Sequence, residues 1–275
     1  MSALAWWTLL CAAAALNVAA WAASARLLAL RGLNAEPPEV LATRRVLLAL
    51  AAVYVAGCAF RSLLPMLDVQ RYCLHDTWLS RIAVGRSVAS VAELAFVAQW
   101  ALLMREAGAV RAARAVVPLI AAAEVLSWLA VLTTNDLFHA AENALWTVAA
   151  GFAAAFLASR WRYEGARGRR VIVAAALCAG AYIVFMTGYV VPMYLARWGA
   201  GATHLALGEG LAQILGRCTV ERSWALWWED AAWLTPYFTL AVWISLALVH
   251  VPSLRPRELT GSSHDGCLER AHSVR

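Results

Sequence analysis

The chain of 275 residues contains no lysine; all 23 of its basic residues are arginine. Any mechanism that needs a lysine amine, such as a retinal Schiff base or a pyridoxal phosphate imine, is excluded by that absence. Charge is scarce too, at 15% of residues against about 25% in soluble domains, while 63% are hydrophobic. That balance excludes a disordered chain and argues against a soluble enzyme with a charged surface. No Cys-x-x-Cys or Cys-x-x-Cys-His spacing occurs, which removes support for thioredoxin-like redox work, zinc knuckles and c-type haem attachment. Gly-x-Ser-x-Gly is missing as well, and no repeat of fixed period is visible.

What the chain does have is long uncharged runs, several reaching the roughly 20 residues that cross a hydrocarbon core of about 30 Å. They divide into seven predicted helices, at about 3–25, 46–64, 80–104, 114–134, 137–159, 171–196 and 224–249. The fold class expected is therefore all-α, a polytopic membrane protein whose seven-helix domain fills 1–251. A cleavable signal peptide is the rival reading of the first segment, but that segment lacks a positive n-region and exceeds the usual apolar core. Pro236 predicts a kink in the seventh helix. Stretch 198–222 is too polar and glycine-rich to span, and predicts a surface helix or lid. Residues 252–275 read as a disordered tail.

Arginine counts assign the faces. The net charge is +6, and 16 arginines fall in alternate connections (26–45, 105–114, 160–170) and the tail, against 6 in the others. By the positive-inside rule the N-terminus is expected outside and the C-terminus in the cytoplasm, with the plasma (inner) membrane as location. The basic excess is read as membrane topology, with no nucleic-acid partner. Of the six cysteines, only Cys73 and Cys218 fall on the predicted outer, oxidising face, where they are either a disulfide or two free thiols.

Charges inside a span cost free energy and face a bundle interior or a watery cavity. Arg86 and Glu93 share a face of the third helix, Glu124 lies on the fourth, His139 and Glu142 on the fifth, and Glu229 and Asp230 begin the seventh, while Arg61 ends the second. Tyr182, Met186, Tyr189 and Met193 form a stripe on the sixth. These positions predict a polar cavity in the outer half of the bundle. His139 and Glu142, spaced His-x-x-Glu, offer two ligands for a divalent metal, with Glu93, Glu124 and His75 to complete it. The late His-x-x-x-His pair of ceramidase-like seven-helix hydrolases is absent, and so are paired intramembrane histidines for a haem b.

Three function classes follow. The first is a membrane enzyme acting on a lipid or other apolar substrate, with Glu93, Glu142 and His139 as acid, base or metal ligands, and Arg86 or Arg61 orienting an anionic head group. The second is a non-catalytic ligand-binding, sensor or transport protein that holds an amphipathic molecule among Arg61, Arg86, Glu124, Glu229 and Asp230. A third class, a structural subunit, would use the same polar groups to specify helix pairing.

Overall fold

The computed structural model describes residues 2–32, 37–163, 165–201 and 203–254. Among these, seven helical spans are long and apolar enough to cross a membrane. The first five are α1 (Ala3–Gly32), α2 (Pro38–Leu63), α3 (Ile82–Glu106), α4 (Val110–Thr133) and α5 (Asp136–Arg160). The sixth span is α6 (Ala166–Phe185), a π turn at Met186–Val190 and α7 (Val191–Gly199). A short α8 (Leu207–Leu215) precedes the seventh span, which is α9 (Trp224–Phe238) followed by α10 (Leu240–Val249). The protein is thus a helical multi-pass membrane protein.

Several helices overrun the uncharged runs that announce them. α1 continues seven residues past Ala25 and carries Arg26 and Arg31 in its last turns, and α2 starts at Pro38 instead of Val46. A run without charge measures the apolar slab, whereas helix hydrogen bonding continues beyond it until a turn or proline stops it. Both long interruptions also trace to proline. Pro192 cannot donate to the carbonyl four residues earlier, and the preceding turn relaxes into the π form. In the seventh span the helix breaks at Thr239, three residues after Pro236, and Asn17 Nδ2 on α1 donates to the freed Phe238 carbonyl at 2.8 Å.

Consecutive helices pack side by side from α1 to α5, and α6 and α7 lean on α5. The seventh span returns to the beginning of the chain, where α9 and α10 pack against α1 and α2. The largest buried cluster lies there, with Trp6, Leu47, Tyr54, Phe96, Trp227, Phe238 and Val242 at its centre. Gly57 lets α2 and α3 approach closely, since a Cβ there would meet the Ala92 Cβ at 2.6 Å. The outward faces are apolar as well: Leu9, Leu16, Leu27, Val125, Leu177 and Val184 are exposed, as in a bundle surrounded by lipid.

One end of the bundle carries a three-stranded miniature sheet. β1 (Met66–Leu67) pairs antiparallel with β2 (Tyr72–Cys73), which pairs parallel with β3 (Thr219–Val220). Cys73 and Cys218 are bonded, with Cα atoms 5.8 Å apart, so the connection between α2 and α3 is tied to that before α9. α8 lies at this end against the terminus of α4, and a Cβ on Gly210 would strike the Leu132 carbonyl oxygen at 1.7 Å. At the opposite end Arg44 forms a buried pair with Glu106 at 2.7 Å, and Leu254 N donates to Glu106 Oε1. Pro252–Leu254 are therefore held on the bundle by hydrogen bonds; 255–275, the rest of the expected tail, lies outside the described residues.

Candidate functional site: a buried carboxylate cluster and its ion pairs

Three helices deliver one carboxylate each to a common point. Counted from the disulfide end at 1.5 Å per residue, Glu93 is about 16 Å along α3, Glu124 about 14 Å along α4 and Glu142 about 9 Å along α5. Side-by-side packing of α3, α4 and α5 then brings one oxygen from each to within 4.8 Å of the other two. All three residues are buried, at 8%, 5% and 6% exposure. A single guanidinium sits among them: Arg86 Nη2 donates to Glu124 Oε2 at 2.7 Å and to Glu93 Oε2 at 3.1 Å. Arg86 and Glu93 stand two turns apart on one face of α3, so the same cation reaches its own helix and the next.

The remaining bonds fix the acids. Tyr237 on α9 donates its hydroxyl to Glu93 Oε1 at 2.7 Å. His139 Nδ1 shares a 2.6 Å hydrogen bond with Glu142 Oε2 one turn along α5. Trp128 Nε1 donates to Ser90 Oγ, clamping α4 to α3 one turn from Glu124. Glu124 Oε1 is buried and has no hydrogen-bond partner among the described residues, and neither has Arg86 Nε. Three carboxylates around one guanidinium leave an excess of two formal negative charges in a dehydrated place. Such an excess is stable only with something to balance it, a proton or a cation.

The cluster's donor set suits a hard cation in part. Three oxygens bound at about 2.0–2.6 Å to one ion lie no more than about 5 Å apart, and the three glutamates meet that limit. Of the sequence-expected ligand pair, Glu142 belongs to this group of oxygens and His139 lies one turn away on the same helix. Their side chains bond to each other through His139 Nδ1, so His139 orients Glu142, while Glu93 and Glu124 bring the other two oxygens. His75 is elsewhere, its ring 4.6 Å from Trp7 at the disulfide end. There, burial first and the nearby Arg222 second hold it below the ordinary histidine range.

The other expected residues fall into separate pairs. Arg61 donates to Asp68 at 3.0 Å and to the Met66 carbonyl, so it anchors the connection after α2. Glu229 and Asp230 meet Arg197 of α7, a residue the sequence reading passed over because it falls just beyond the predicted sixth helix. Asp230 faces both guanidinium nitrogens, Nη1 at 3.3 Å and Nη2 at 2.9 Å, while Glu229 takes Nη2 at 2.8 Å. Trp233 Nε1 adds a bond to Asp230. Tyr194 links the two groups, its ring 5.0 Å from His139 and 5.7 Å from the Arg197 guanidinium carbon. Asp136 also lies near this group, buried, with Oδ1 unbonded among the described residues.

Sequence reasoning missed Asp136, Arg197, Gln99 and the Arg44–Glu106 pair. Gln99 is fully buried and bonds the Leu47 carbonyl and Ser245, which joins α3 to α2 and α10. Its signal, a lone amide in an apolar run, was present. Compared with models of known families, with characterised proteins and with solved structures, the chain matches none of the three.

Proposed function

We propose that the protein is an integral membrane enzyme that acts on a lipid or other apolar substrate at the Glu93–Glu124–Glu142 cluster. The observation that carries this reading is the convergence of three buried carboxylates around one guanidinium, with Glu124 Oε1 unbonded. In this reading Glu142 takes the proton from the substrate, and His139, bonded to its Oε2, orients that carboxylate. Glu93, held by Tyr237, serves as the opposing acid. Arg86 keeps the acids together. A divalent cation held by the same three carboxylates would supply Lewis acidity to the substrate. The orientation that fits is the disulfide end outward, toward an oxidising compartment, in the plasma (inner) membrane.

A second reading is a binder or carrier without chemistry, favoured by the surplus negative charge, which would retain a cationic ligand equally well. Lipid extracts of cells making the wild type, Glu142→Gln and Glu93→Gln, compared by liquid chromatography and mass spectrometry, separate the two. A lipid product made by the wild type and reduced about 10²–10⁴-fold in Glu142→Gln is the enzyme outcome. Identical lipid profiles in wild type, variants and empty-vector cells would overturn it. A molecule that co-purifies unchanged with the wild type and not with Glu142→Gln would establish the binder. Elemental analysis of the purified wild type and the Glu93→Gln/Glu142→Gln double variant tests the cation, which is to be near-stoichiometric in the first and lost in the second.

A further inference from the structure

Among the described residues the extensive partner of the sixth span is α5, whereas the seventh span packs on α1 and α2; the two spans meet near the disulfide end through Arg197 and Tyr189, with a seam between them elsewhere. Only 6% of the most apolar stretch of the sixth span is buried, and Leu177 and Val184 are largely exposed. Towards the disulfide end this seam widens into a groove of about 540 Å³, lined by Tyr189, Pro192, Met193, Arg197, Trp228 and Glu229. The π turn and Pro192 shape one wall, and a Cβ on Gly188 would meet nothing within 4 Å. Tyr189 OH donates to the Glu229 carbonyl at 3.2 Å and so bridges the two walls.

The charges at the groove do not cancel. Asp230 is buried and faces both nitrogens of the Arg197 fork, which neutralises that guanidinium. Glu229 also accepts from Arg197 Nη2, so two carboxylates share one cation and one negative charge is in surplus; the Glu229 side chain, 43% exposed where that of Arg197 is 20%, is the one open to the groove. Beside it stands Trp228, 50% exposed, with Tyr189 on the facing wall. A carboxylate in a groove that tryptophan and tyrosine also line attracts a quaternary or primary ammonium and repels an anion. The volume falls within the range of small-molecule sites, and the exposed apolar residues Val184 and Leu177 lie further along the same span.

The geometry points to this groove as a binding site for the ammonium head of a membrane amphiphile, its chain lying in the seam between the sixth and seventh spans. The occupant is a lipid-embedded molecule with a cationic or zwitterionic nitrogen head. The inference does not rest on chemistry at the carboxylate cluster. Full-length protein in a non-ionic detergent, examined by native mass spectrometry with tetradecyltrimethylammonium, tetradecanoate and tetramethylammonium at equal low micromolar concentration, tests it. One equivalent of tetradecyltrimethylammonium is expected to bind saturably, and neither of the others. Glu229→Gln, at a half-buried position, and Trp228→Ala, at an exposed one, should each weaken that binding about three- to tenfold with an unchanged gel-filtration profile. Glu142→Gln should leave it intact. Equal binding of tetradecanoate, unsaturable uptake, or indifference to Glu229→Gln would overturn the proposal. Binding of tetramethylammonium as tight as that of the alkyl form would overturn its lipid source. Loss in Glu142→Gln with retention in Glu229→Gln would move the ammonium to the buried cluster and refute the groove.

Discussion

Replacing Arg86 by glutamine removes the single cation from a site where three carboxylates lie within 4.8 Å of one another. At an effective dielectric near 20, contacts of 2.7 and 3.1 Å correspond to gross attractions of about 6 and about 5 kcal/mol. The desolvation of the ions offsets most of that, so the pairs themselves add little net stability. Their loss is a different matter, because it strands the carboxylates in a dry interior, and breaking such a pair costs about 3–5 kcal/mol. For a domain of this size that corresponds to a fall in the unfolding midpoint of about 6–20 °C. The assay is thermal unfolding of detergent-purified protein at neutral pH, followed by tryptophan fluorescence. A second substitution supplies the control: Arg86→Gln/Glu124→Gln should recover part of the loss, since one stranded charge has gone. If Arg86→Gln unfolds at the wild-type temperature, or if adding Glu124→Gln lowers it further, the account of Arg86 as the counter-charge of this cluster is refuted.

Further perturbations probe the frame around the site. Replacing Cys73 and Cys218 together by serine opens a loop spanning 145 residues, and chain entropy puts the cost at up to about 5 kcal/mol, read as a lower unfolding midpoint that reductant reproduces in the wild type. Gly57→Ala should destabilise by about 1–3 kcal/mol through the clash with Ala92, and Ala92→Gly in the same chain should restore the midpoint. Asn17→Leu leaves the buried Phe238 carbonyl without its donor and should cost about 1–3 kcal/mol, with hydrogen exchange accelerated around Thr239 and Leu240. His75 is held below the ordinary histidine value by burial and by Arg222, so the folded state binds its proton less readily than the unfolded chain. Its contribution to stability is therefore complete above about pH 6.5 and declines as pH falls through the depressed value, and His75→Gln should flatten that part of the pH–stability curve.

The parts of the architecture legible in the sequence were those set by the apolar slab. An uncharged run of 20 residues in lipid has one way to satisfy its backbone, so the seven helices and the kink associated with Pro236 could be read directly. Helix ends were less legible, because arginines such as Arg26, Arg31 and Arg44 ride within helices that continue past the slab. Glu93 and Glu124 were recognisable as costly and therefore inward-facing, yet their pairing with one guanidinium depends on the rotation of α3 against α4. No spacing within either helix encodes that rotation.

The metal reading shows the same boundary. His-x-x-Glu on one helix places His139 and Glu142 on a common face, and that much is local geometry. What stands opposite the pair is set by other helices; here the acids of α3 and α4 bring their oxygens to Glu142, while His139 bonds to Glu142 from its own helix. Arg197 escaped notice because it sits in a predicted connection, and only the return of α9 beside α7 gives it Glu229 and Asp230. The sequence by itself determined that the chain is a seven-span membrane protein with its costly charges turned inward, because burial in hydrocarbon penalises residues one at a time. The tertiary structure alone decided which charges meet, which stay in surplus and where the bundle opens, because those depend on distances between helices far apart in the chain.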